Sequence, residues 1–185
     1  MHDVLAIAGS PSQSSRSTAV LEHSISYLRA HDVETAMFTV HDMKPEDLVF
    51  ANFESLELQQ FIRLVAEAKG ILIATPVYKA TYTGILKALL DLLPQYAFSG
   101  KTVLPIATGG TITHLLSIEY SMKPLFAVLG STQIQQGVFI VDSQMKRLEN
   151  GEIVLEEEVE MRLQESLLDF VGAVKSKERI LQDIA

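Results

Sequence analysis

The feature that most constrains this chain is an alternation of two patterns. Short apolar runs at residues 4–8, 33–39, 70–75, 103–107 and 134–141 alternate with stretches of helical spacing at 17–30, 56–68, 84–93 and up to about 129. Runs this short, bounded by Gly, Ser and Pro, suit strands buried on both faces, and the longer stretches suit the helices that cover them. Residues 41–53 read as irregular. After Gly151 the pattern is helical to the end, with Leu155, Val159, Leu163, Leu167, Phe170, Val171 and Val174 on one apolar stripe. Glu156, Glu157, Glu158 and Glu160 fall near the start of that helix, where its dipole favours them, and read as a solvated face.

Strands that alternate with helices build a parallel sheet with helices on both faces. Right-handed crossovers leave few topologies, and the expected strand order is 2-1-3-4-5. A ligand then binds at the carboxyl ends of strands one and three, where the order reverses. The length of 185 residues fits one domain over residues 1–185, and the hydrophobic share of 48% is enough for a core.

Composition removes several functional classes. Cysteine is absent, which excludes disulfides, thiolate metal sites and a cysteine nucleophile. The formal charge is −8 and no Lys/Arg tract occurs, so no nucleic-acid partner is expected. No apolar run approaches the roughly 18 residues of a membrane span, so no membrane association is expected. The amino terminus enters a strand at once, without a basic region, apolar stretch and cleavage site, and a cytoplasmic location is the expectation.

Three loops carry the chemistry. Ala8-Gly9-Ser10-Pro11-Ser12-Gln13-Ser14-Ser15-Arg16-Ser17 leaves a strand and enters a helix. Free N–H groups at a helix start, several hydroxyls and one guanidinium suit a phosphate, although Ser17 also suits a helix cap. Arg16 is a cation where the helix dipole disfavours one, a conflict that a bound anion resolves. Thr75-Pro76-Val77-Tyr78-Lys79-Ala80-Thr81-Tyr82-Thr83-Gly84 offers a flat apolar contact and exposed N–H groups, which suit a planar ring. Ala107-Thr108-Gly109-Gly110-Thr111-Ile112-Thr113-His114 has two glycines that permit close backbone approach. Each loop alone could be a turn. All three follow parallel strands and converge on one sheet edge.

Other motifs fail on context. Gly100-Lys101-Thr102 ends like a phosphate-binding P-loop, but position 95 is Gln95 and the triplet precedes a strand. No Gly-x-Ser-x-Gly elbow occurs. His2, His23, His31, His41 and His114 show no metal spacing.

The sequence resembles the NADPH-dependent FMN reductase family, and within it the flavin reductases of two-component alkanesulfonate monooxygenase systems. The match rests on Gly9-Ser10-Pro11, Ser15-Arg16-Ser17, Ala74-Thr75-Pro76-Val77-Tyr78-Lys79, Leu86-Lys87, and Leu89 through Pro94. It continues through Leu104-Pro105, Ala107-Thr108-Gly109-Gly110-Thr111, His114-Leu115-Leu116, Tyr120, Lys123-Pro124, Gly137-Val138-Phe139 and Asp142-Ser143-Gln144. The resemblance implies a flavodoxin-like α/β fold with a five-stranded parallel sheet, FMN as flavin, and NADPH or NADH as hydride donor. By matched position, Ser10, Ser15, Arg16 and Ser17 hold the phosphate. Pro76, Val77, Tyr78 and Lys79 border the isoalloxazine ring, and Thr108, Gly109, Gly110 and Thr111 complete the site. The subgroup often has a basic residue where this chain has Ser12-Gln13, which leaves Arg16 as the one cation on the phosphate. No catalytic side chain is assigned, because the cofactors carry the hydride chemistry.

The resemblance also implies a partner monooxygenase supplied with reduced FMN. The alternatives are an FMN-containing reductase of quinones, azo dyes or metal ions, and a flavodoxin-like electron carrier. Apolar residues exceed one stripe on the helix from Gly84, at Leu86, Leu89, Leu90, Leu92 and Leu93, with Tyr96 and Phe98 beyond. The helix after Thr113 has a similar excess. These features predict a homodimer or dimer of dimers through the two helices. In the flavin-releasing subgroup, a tyrosine matching Tyr120 is an inserted residue that forms a π-bulge. The same is expected here.

Overall fold

The computed structural model describes residues 2–149 and 151–184, with side chains described through residue 176. Its main sheet is built from β1 (Val4–Ala8), β2 (Thr35–Thr39), β3 (Gly70–Pro76), β4 (Thr102–Gly109), β5 (Gln133–Ile134) and β6 (Val138–Val141). The order is β2-β1-β3-β4-β5, all pairs are parallel, and β6 also pairs with β4. The fold is flavodoxin-like α/β, as expected.

Residue alternation along the central strands divides the core in two. Leu5, Ile7, Ile71, Ile73, Val103 and Ala107 face one side, under α2 (Pro45–Val49), α3 (Leu56–Glu67), α4 (Gly84–Asp91) and α5 (Lys123–Val128). Val4, Ala6, Leu72, Ala74, Leu104 and Ile106 face the other, under α1 (Arg16–Ala30) and α6 (Glu157–Ile184). Both faces are covered, so the strands read as unbroken apolar runs.

The fifth strand departs from the sequence reading. The run at 134–141 is two segments that pair with opposite ends of β4. Val103 faces Ile134 and Ile106 faces Val138, so three residues (135–137) stand opposite two. Pro105 lies in this gap and has no N–H for the ladder. A Cβ on Gly137 would stand 2.8 Å from the Pro105 ring, and Gly137 has φ +87°. Glycine is therefore required at that bulge.

Three further corrections concern local structure. The irregular stretch at 41–53 contains α2, started by Pro45 at its first turn with Glu46 and Asp47. The segment after Gly151 does not start as helix: β8 (Ile153–Leu155) pairs antiparallel with β7 (Met145–Arg147) before α6 begins. Leu155 belongs to β8, while Val159, Leu163, Leu167, Phe170, Val171 and Val174 form the buried stripe of α6. Glu160 is not merely solvated, since His23 Nε2 lies 3.0 Å from both of its carboxylate oxygens. Lys101 of the rejected P-loop triplet is buried and donates to the carbonyls of Ala66 (3.1 Å) and Ala68 (2.6 Å) at the end of α3. No described helix is long and apolar enough to cross a membrane.

Candidate flavin site

Loop contacts join the three strand ends. Thr83 caps α4 by accepting from Leu86 N–H at 3.1 Å, and its hydroxyl donates to the Gly9 carbonyl. Its own N–H donates to Thr75 Oγ1 at 3.3 Å. Gly9 N–H donates to Ala74 O and Val77 N–H to Thr108 O, each at 2.8 Å. A Cβ on Gly9 would stand 2.7 Å from Leu86 Cδ2, so only glycine lets the first loop approach α4 this closely.

The loops enclose a cleft of about 200 Å³. Ser10, Ser15, Arg16, Pro76, Val77, Tyr78, Thr108, Gly109 and Gly110 line it, together with Ser12, Ser14 and Asp142. Three expected residues stand elsewhere. Ser17 is fully buried, with its hydroxyl 2.8 Å from Ser15 Oγ. Lys79 lines an adjoining open hollow with Val77, Tyr78, Ala80 and His114. Thr111 caps the short turn Ile112–His114, accepting from Thr113 N–H at 3.4 Å.

The cleft end suits a phosphate. Ser15, not Ser17, is the N-cap of α1, and its side chain makes no capping bond. The first-turn N–H groups therefore have no side-chain cap, and they combine with serine hydroxyls and the Arg16 guanidinium into an anion-binding donor set. Asp142, at the end of β6, was not read as a site residue. Its carboxylate Oδ2 lies 3.5 Å from Arg16 Nη1. Its position after a parallel strand was the available signal. The contact itself is tertiary.

The hollow suits a flat ring. Tyr78 N–H donates to Thr81 O at 2.9 Å and Thr81 N–H to Tyr78 O at 3.3 Å, which closes a two-residue turn. Lys79 and Ala80 occupy its apex at φ 50° and 70°. Left-handed backbone at two successive non-glycine residues is costly and concentrates at functional sites. Val77 and Tyr78 spend their N–H groups inside the protein, so the ring-edge donors expected here fall to the apex. Gly109 and Gly110 also separate in role. A Cβ on Gly109 would meet the Phe139 ring at 3.1 Å, whereas one on Gly110 would meet nothing within 4 Å. Only Gly110 is exposed.

The sequence profile described as NADPH-dependent FMN reductase matches residues 2–146. The chain belongs to that family. This FMN reductase is an oxidoreductase that uses FMN with NADPH or NADH. It is 45% identical over 177 residues to an FMN reductase (NADPH) of Pseudomonas putida, covering 95% of this chain and 90% of that protein. It is 47% identical over 142 residues to the FMN reductase (NADPH) of Escherichia coli, covering 77% and 74%. The apo crystal structure of an NADH:FMN oxidoreductase (EMOB) superposes with a TM-score of 0.84 at 32% identity, covering 94% of this chain and 90% of that one.

The helix beside the hollow of this reductase changes register. Tyr120 N–H donates to Leu116 O at 2.9 Å, an i−4 bond, whereas Lys123 N–H reaches back to Ile118 O, an i−5 bond. Residues Ile118–Met122 form a π-turn, as the resemblance implied. Pro124 supplies part of the cause, since it has no N–H for the Tyr120 carbonyl. Tyr120 is 78% exposed.

The apolar excess on α4 has a simpler origin than an interface. Leu86, Leu89, Leu90, Leu92, Leu93 and Phe98 are buried within this one chain. Tyr96, Leu115, Leu116, Tyr120 and Val128 remain exposed. Tyr96, Tyr120 and Val128 border a hollow of about 610 Å³ that also includes Tyr82 and Leu125.

Proposed function

We propose that this FMN reductase treats FMN as an exchangeable substrate and passes reduced FMN to a partner monooxygenase, in the use of organosulfur compounds such as alkanesulfonates. Ser10, Ser15 and Arg16 hold the phosphate, with Ser17 orienting Ser15 from beneath. Pro76, Val77, Tyr78 and Lys79 border the ring, and Thr108, Gly109, Gly110 and Thr111 close the other side. Bound flavin supplies the redox chemistry by accepting a hydride from the reduced nicotinamide. The protein positions the two partners, and backbone N–H groups at the turn apex stabilise charge that develops on the ring. No side-chain acid or base is required for the hydride step.

The observation that carries this reading is the π-turn around exposed Tyr120, next to the hollow. Such turns are rare and occur frequently at functional sites. The exposed apolar residues around it favour a homodimer or a dimer of dimers, in which the Tyr120 hydroxyl bonds an unsatisfied carbonyl of a second copy. Tyr120→Ala is then expected to loosen the assembly and to yield protein that retains FMN and purifies yellow. A variant that keeps its assembly, stays colourless and still turns over added FMN reduces Tyr120 to packing.

A further inference from the structure

We propose that Asp142 is a built-in competitor of the flavin phosphate, an acidic group that weakens the hold of the cradle on FMN and favours its exchange. This rests on the phosphate reading of the cleft given above. Arg16 and Asp142 are the only charged side chains among those lining the cleft, and they lie 3.5 Å apart. Their charges cancel. A phosphate monoester carries about −1.5 to −2 at neutral pH. It therefore meets side chains of no net charge, and its attraction comes from Arg16 locally, the α1 N–H groups and the serine hydroxyls.

Geometry makes the competition unavoidable. An anion that bonds the Arg16 guanidinium comes within a few ångströms of a carboxylate already placed at that guanidinium. Such a separation is shorter than the screening length of about 8 Å at physiological ionic strength, so salt does not remove the repulsion. Other cations near the loops do not offset it. Lys87 pairs with Asp91, Lys123 pairs with Glu119, and Lys79 lines the ring hollow rather than the cleft. The Arg16–Asp142 pair is itself partly exposed, with side chains 60% and 36% accessible, so it adds little to folding. Its main consequence is for an incoming anion.

The test compares FMN with riboflavin, which has the same ring and no phosphate. Dissociation constants are measured from flavin fluorescence on the full chain, for wild type, Asp142→Asn and Arg16→Ala. Asp142→Asn keeps the shape and removes the charge. It is expected to tighten FMN by about three- to tenfold, to leave riboflavin within twofold, and to lose part of the gain in added salt. Asp142→Ser, which removes the charge differently, is expected to act with the same sign. Arg16→Ala is expected to weaken FMN by at least about tenfold and to spare riboflavin. If Arg16→Ala affects both flavins equally, the phosphate reading fails and the competitor falls with it. If Arg16→Ala is selective but neither Asp142 variant tightens FMN, the phosphate reading stands and the competitor is overturned.

Discussion

Thr83→Val tests whether one hydroxyl ties the three loops into a site. Valine keeps the β-branched shape and puts a methyl group, which neither donates nor accepts, where the hydroxyl was. Two bonds are lost: the cap on Leu86 N–H, and the donor to the Gly9 carbonyl. Loss of a helix cap costs about 0.5–2 kcal/mol. Leaving a buried acceptor without its donor costs about 1–3 kcal/mol. Thr83 is 1% exposed, so water cannot readily replace either partner. The summed expectation is about 1.5–5 kcal/mol, which for a chain of this size lowers Tm by roughly 3–20 °C. Urea unfolding followed by far-UV circular dichroism reads the loss, since the chain has no tryptophan. Thr83→Ser retains both bonds and is expected to stay within about 1 kcal/mol of wild type. FMN affinity is expected to fall with Thr83→Val and to hold with Thr83→Ser. A valine variant as stable as the serine variant would refute the argument.

Gly9→Ala forces a methyl to 2.7 Å from Leu86 Cδ2 and is expected to cost about 1–3 kcal/mol in thermal or urea unfolding. Unchanged stability would mean that α4 shifts freely away from the loop. Light scattering at micromolar concentration is expected to give a dimer or tetramer mass, and a monomer there removes the interface assigned to Tyr96, Leu115, Leu116, Tyr120 and Val128.

Much of this architecture was legible because buried parallel strands are written as continuous apolar runs. β1, β3 and β4 could be read directly, and the loops after them followed from topology. The hairpin of β7 and β8 could not be found this way. Its strands are short, with Ile153 and Leu155 buried in the core and Met145 packed partly against it. The split of the fifth strand was hidden because its cause, Pro105, lies in the neighbouring strand. The apolar surplus of α4 misled for a related reason. Periodicity counts apolar positions but does not say whether the same chain or a second copy covers them. At the site, the serines and Arg16 announced an anion through their place at a helix start. Asp142 was silent about its partner, beyond its place after a parallel strand, because a carboxylate opposite a guanidinium is a tertiary contact between residues far apart in sequence. The strained turn at Lys79 and Ala80 was equally silent, since neither residue type signals left-handed backbone.

Steady-state oxidation of NADPH by the purified protein, with and without added FMN, tests the central claim most directly. The measurement is paired with an absorption spectrum of the same sample. If FMN is an exchangeable substrate, the protein is colourless or nearly so after dilution and dialysis. NADPH oxidation then depends on added FMN with saturation, and free reduced flavin accumulates when oxygen is excluded. A yellow protein that keeps stoichiometric FMN through dialysis, and oxidises NADPH with quinone or azo acceptors at a rate indifferent to added FMN, would contradict the account.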